Sequence, residues 1–141
     1  MHVHRFIGAT TDGIGNQQTV FARPGRLTGY EFLSVAGALE AREGLRQREP
    51  TYAGYREPQI RDPRIRAGWF QKGWLPFAEF GGGTLMLMVD LVPDGTGKSG
   101  QIIAFTHDPD EIEYLAPSFA DLLKKSMKAI KADSEELLGQ P

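Results

Sequence analysis

Residues 74–119 read WLPFAEFGGGTLMLMVDLVPDGTGKSGQIIAFTHDPDEIEYLAPSF, and this stretch decides the fold. Residues 85–92 within it are almost wholly apolar. With a side-chain period of two, Leu85, Leu87, Val89 and Leu91 fall on one side of a strand and Met86, Met88 and Val92 on the other. Both faces then need cover, which places the strand centrally in a sheet. Asp90 is the exception, a carboxylate that must find donors or reach water, and the spacing predicts that it accepts from the backbone of the 93–100 turn. Upstream, residues 74–80 read as a strand or strand edge interrupted by Pro76, and Gly81, Gly82 and Gly83 permit a reversal that a β-carbon would resist. Downstream, Asp94-Gly95 with Gly97 and Gly100 leads into a second strand over 101–106 that carries Ile102, Ile103 and Phe105. The pair reads as an antiparallel hairpin.

Toward the C-terminus, an acidic loop runs from His107 to Glu113. Ser118 then opens a capping box with Asp121, and Phe119, Leu122, Leu123, Met127 and Ile130 form the apolar stripe of a closing helix. Lys124, Lys125, Lys128 and Lys131 lie off that stripe. Toward the N-terminus, residues 49–66 are polar and basic, hold Pro50, Pro58 and Pro63 with Tyr52 and Tyr55, and show no period, which predicts a long surface loop. Before it, Ser34 caps a helix over 34–47, on which Val35, Ala38, Leu39, Arg42 and Leu45 recur at helical spacing until Pro50 blocks continuation. Residues 30–33 look extended, and the Gly- and Thr-rich start suggests turns with one short strand over 19–22.

Composition bounds the function. A chain of 141 residues fits one domain, 1–141, large enough to bury a core without staples. A hydrophobic content of 40% with 24% charged residues is that of an ordinary globule. The net charge of −2 lacks the basic surplus that phosphate contacts call for, which argues against nucleic acid as a partner. Without cysteine there is no disulfide, thiolate nucleophile or Cys-based zinc site, and a reducing cytoplasm fits. No segment has the length of a membrane span or the pattern of a secretory signal, so no membrane association is expected.

Taken in order, Trp74, Pro76, Gly82, Gly83, Asp90, Pro93, Gly100, Gln101, Ile102, His107 and Asp108 form a specific series, followed by the Ala-Pro-Ser-Phe start of the last helix. The series resembles the SUKH superfamily, whose members include fungal cell-wall-synthesis regulators and bacterial immunity proteins against secreted toxins. The resemblance covers roughly residues 30–127 and, more loosely, the Asp12-Gly13 region, with Thr84 standing where the family often has an acidic or amide residue. It implies an α+β fold, a mostly antiparallel sheet flanked by helices, with the family's N-terminal helical segment shortened in this chain. It also implies a protein-binding module without catalysis or cofactor, whose partner is a toxin or, in the alternative, a regulatory assembly like that of the fungal branch.

The residues offer little chemistry of their own. Gly97-Lys98-Ser99 has the end of a phosphate-binding loop, but Val92 stands where its first glycine belongs, so a solvated turn is the better reading. His107, Asp108, Asp110, Glu111 and Glu113 lack the ligand order of a calcium loop or a zinc set, and His2 with His4 sits at a terminus. Trp69, Phe70, Trp74, Phe77 and Phe80 form an aromatic cluster, half or more of it core. Arg56, Arg61, Arg64 and Arg66 alternate with acids and read as a solvated loop. The expected partner surface is therefore the acidic loop with Asp108, Asp110, Glu111 and Glu113, together with Tyr52, Tyr55 and Arg56 of the 49–66 segment.

Overall fold

Six strands cross one antiparallel sheet in chain order: β1 (Thr19–Arg23), β2 (Arg26–Phe32), β3 (Trp74–Phe80), β4 (Leu85–Asp90), β5 (Gln101–Thr106) and β6 (Glu111–Ala116). Helix α1 (Val35–Arg48) follows β2, and α2 (Phe119–Leu138) follows β6. The computed structural model describes residues 19–23, 26–52, 54–55, 57, 60–80, 85–107 and 110–138, with side chains between residues 29 and 132. The α+β architecture inferred from the sequence is the one observed.

β4 pairs with β3 and β5 along its whole length and is covered on both faces, as its apolar run requires. On one face Leu45, Ile65, Trp69, Phe70, Trp74, Met86, Met88, Ile103, Phe105 and Ile112 form a core under α1 and residues 49–73. On the other, Tyr30, Ala78, Leu87, Ile102, Ala104, Leu115 and Ala116 pack against Leu122 of α2. The aromatic cluster expected from the sequence is accordingly split by the sheet. Trp69, Phe70 and Trp74 are buried on the α1 face, Phe77 packs on the α2 face, and Phe80 is largely exposed.

Local chemistry explains the departures from expectation. β3 continues through Pro76, because β2 reaches only Glu79 and Ala78 and no neighbouring strand needs the N–H that proline lacks. A register shift between Pro76 and Ala78 turns both Phe77 and Ala78 toward the α2 face. The expected acidic loop closes at residue 110, since residues 111–116 pair with β5 as an edge strand, a position where glutamates are tolerated because they discourage pairing with other chains. Nor are residues 49–66 a plain surface loop: Glu49–Tyr52 is a 3-10 turn, and the chain beyond it straps the sheet face that α1 leaves bare. Tyr52, Tyr55 and buried Ile65 anchor that strap without periodicity because its backbone is irregular.

Both helices start as their caps dictate. Ser34 Oγ accepts from Gly37 N at 3.0 Å, and Arg46 and Arg48 in the last turn suit the negative end of the dipole. Ser118 Oγ accepts from Asp121 N at 3.1 Å and donates to its carboxylate at 2.9 Å. The stripes are shifted, however. On α1 the inner face is Ala41 and Leu45, leaving Val35 and Leu39 exposed. On α2 Ser126 is buried in place of exposed Met127, its hydroxyl satisfied by Leu122 O at 2.7 Å.

The β4–β5 connection is solvated at its tip, where Thr96, Lys98 and Ser99 are exposed as expected, and anchored at its base by buried Asp90 and Gln101. Asp90 is fully buried; one carboxylate oxygen accepts from Val92 N at 2.9 Å and the other from Gln101 Nε2 at 2.9 Å. Gln101 reaches onward, donating to Arg64 O at 2.8 Å and accepting from Lys98 N at 3.1 Å. So the carboxylate meets the backbone at Val92 and engages the 93–100 turn through Gln101. Gly97 lies against the strap, where a β-carbon would stand 2.6 Å from Arg64 O. Replacing Asp90 by Ala would leave the part-buried Val92 N–H and one N–H of the buried Gln101 amide without an acceptor, at about 1–3 kcal/mol for the buried one. Asp90→Asn should cost nearly as much although isosteric, because its amide would face the Gln101 amide donor to donor. Thermal unfolding checks both, and an Asn variant as stable as the parent would show that the second acceptor is not needed.

Candidate protein-binding surface

The 49–66 strap and the β5–β6 turn, far apart in sequence, are tied together at Asp110. Its carboxylate accepts from Trp69 Nε1 at 2.8 Å and meets His107 Nδ1 at 2.5 Å, while its backbone carbonyl accepts from the Tyr55 hydroxyl. Only 8% of the Asp110 side chain is exposed. Asp110 is therefore an internal anchor and not the exposed contact that its place in an acidic run suggested. The carboxylate orients the His107 ring much as the aspartate of a hydrolytic triad does, yet among the described residues no nucleophile is hydrogen-bonded to the other ring nitrogen. The pair serves as a tether.

Above this anchor lies an aromatic layer. Tyr52 stacks on Trp69 with ring centroids 4.2 Å apart and planes 2° from parallel, and Trp69 meets Phe105 edge-on at 5.7 Å. The Arg48 guanidinium sits 5.8 Å over the Trp69 ring. A cleft of about 420 Å³ opens beside the stack, lined by Glu49, Pro50, Tyr52, Gly54, Tyr55, Gly68 and Trp69. Gly54 and Gly68 both have positive φ, at 80° and 114°, which lets the backbone turn around its mouth. A smaller recess of about 190 Å³ runs where Glu57, Ile60 and Asp62 of the strap face residues 111–114 of β6.

Charge on this face is mostly compensated within the strap. Arg61 pairs with Glu57, both nearly buried, and its guanidinium lies 5.8 Å from the Trp74 ring centroid. Arg64 grips Asp62 with two bonds of 2.9 and 2.7 Å, and these hold the Asp62 carboxyl below its ordinary value. The Arg64 guanidinium also lies over Tyr114, 3.4 Å from the ring centroid. Desolvation, followed by the charge of Glu57, pushes the Tyr55 hydroxyl up to about 12.

Of the partner-binding residues expected from the sequence, Tyr52, Tyr55, Glu111 and Glu113 lie around these two recesses. Asp108 and Arg56 lie outside the described residues, as do Gly82, Gly83 and the terminal histidines. Glu49 and Pro50 fall in the 49–66 segment expected to contribute, whereas Gly68 and Trp69 lie beyond it and nothing in their spacing points to the cleft. Trp74, Asp90 and Gln101 of the motif series meet in one place, since Trp74 and Gln101 both pair with Asp90 across the sheet, and Gly100 N donates to Asp90 O at 2.8 Å. That is a structural cluster under the turn, away from the aromatic cleft. Among the described residues no three His, Asp or Glu side chains could together hold a metal ion, and no helix is long and apolar enough to cross a membrane.

Two outcomes follow. Asp110→Ala removes an acceptor from a buried indole and should destabilise the protein by about 1–3 kcal/mol in equilibrium unfolding. Because the folded state raises the Tyr55 hydroxyl from 10 to about 12, its contribution is intact below pH 10 and is lost as pH climbs through 12. The thermal midpoint of Tyr55→Phe should therefore fall less steeply than that of the parent over this window.

No curated protein sequence matches the chain. The model of the SMI1 / KNR4 family (SUKH-1) matches residues 10–125, beginning well ahead of the segment on which the motif resemblance rests. Over that span lie the whole sheet, α1, the strap and the start of α2, and the chain belongs to the SMI1 / KNR4 family (SUKH-1).

Proposed function

We propose that this chain is a non-enzymatic protein-binding module of the cytoplasm, an immunity protein that neutralises a cognate toxin by covering one of its essential surfaces. Family membership over residues 10–125 carries the proposal. The joined strap and β5–β6 region supports it, since a recess with aromatic walls, held rigid from below by Asp110, has the make-up of a contact centre in which a few anchors dominate. Glu111 and Glu113 on the edge strand give the rim an acidic character suited to a basic toxin, such as a nuclease, whose encounter opposite charge would accelerate.

The functional test is co-expression of the neighbouring open reading frame in a sensitive host, with and without this protein. Survival that depends on this protein establishes immunity and identifies the partner. A harmless neighbour, or one that kills regardless, sinks the toxin assignment and favours the regulatory role. The rim is tested separately with the double variant Glu111→Lys, Glu113→Lys, which leaves the Asp110 anchor intact. Its affinity for the partner should drop by about tenfold, mainly through a slower and less salt-sensitive association. An undiminished affinity would remove β6 from the interface.

A further inference from the structure

We propose that the cleft beside Trp69 is a receptor for a cationic side chain, specifically an arginine presented by the protein partner. The inference rests on the protein-binding role of this face and adds the chemistry of the residue it takes. The cleft holds about 420 Å³, the scale of a pocket that encloses a small ligand or one large side chain. Its wall is the Tyr52–Trp69 stack, two parallel rings 4.2 Å apart, in which Trp69 is buried and Tyr52 is the partly exposed member. Glu49 stands on its rim, and no hydrogen bond or ion pair engages the Glu49 carboxylate among the described residues. At Gly54 an added β-carbon would meet nothing within 4 Å, so the mouth opens to solvent.

An electron-rich ring face beside an uncompensated carboxylate selects for positive charge. An acidic anchor would be repelled by Glu49, and an aliphatic one would strip that carboxylate of water without replacing its hydrogen bonds. Guanidinium suits the site better than ammonium because it is planar, stacks on aromatic rings and still presents N–H groups in its plane to a carboxylate. The protein itself shows the affinity: Arg48 lays its guanidinium 5.8 Å over Trp69, held otherwise by a 3.3 Å bond from Nε to Gly44 O. Arg48 is exposed and weakly held, so it can move aside while Glu49 and the partly exposed Tyr52 ring receive the incoming charge.

The experiment is a titration of the full chain with the peptide acetyl-Gly-Gly-Arg-Gly-Gly-amide and with its citrulline counterpart, which keeps the shape and loses the charge. The Trp69 indole N–H and Tyr52 ring resonances report binding. Saturable shifts confined to the cleft, with about tenfold preference for arginine, are expected. Glu49→Gln should weaken binding several-fold, about as much as one charge-assisted contact allows, without moving the thermal midpoint. Arg48→Ala should strengthen it by removing the internal competitor. Equal response to citrulline, shifts scattered over the surface, or indifference to Glu49→Gln would overturn the proposal. No toxin is needed here, so arginine binding without rescue would sink the immunity role alone, and rescue without a cleft response would sink this inference alone.

Discussion

Asp90 and Gln101 hold the molecule together at the end of its central hairpin. A carboxylate buried to this degree is tolerated only when its lone pairs are taken up, and here the backbone at Val92 and the amide of Gln101 do so. The amide orientation is fixed in turn, because its oxygen accepts from Lys98 N while its nitrogen serves both Asp90 and Arg64 O. Two strands, their turn and the strap are thereby locked in one network. A second donor to Arg64 O, Asp94 N at 3.1 Å, fastens the strap again.

From that fixed point the strap crosses the sheet face and is pinned at its far side by Asp110. What lies between the two attachments is the aromatic layer of Tyr52 and Trp69 with the cleft beside it. A binding surface made from irregular chain would ordinarily lose affinity to the entropy of ordering its loops. Buried tethers at both ends meet that cost during folding, so the face is presented already formed. Of the residues that mark the family, Trp74, Asp90, Gly100 and Gln101 meet beneath the turn, whereas His107 belongs to the Asp110 anchor under the strap.

Much of the fold was legible because its signals are local. The apolar run of β4, the glycine-rich turn, the Ser34 and Ser118 caps and the Asp121 partner depend only on residues within a few positions. β6 was not legible, since Glu111 and Glu113 mimic a loop, and only pairing with Phe105 and Ala104 makes that segment a strand. Met127 fell on the expected stripe of α2 because hydrophobicity outranks size in a pattern, whereas the packed helix buries the small, self-satisfied Ser126. Asp110 looked like a surface charge for the same reason that the acidic run did: its indole partner lies 41 positions away.

The sequence by itself determined the family, the central hairpin, the two helices and the absence of cysteine chemistry, all properties carried by composition or by neighbours along the chain. Tertiary structure alone decided which polar residues are buried anchors and which stay exposed. Burial of Asp110, the stacking of Tyr52 on Trp69 and the freedom of Glu49 arise from chain segments brought together across the sheet, and no short-range pattern encodes contacts whose partners are set by how a whole sheet face is covered.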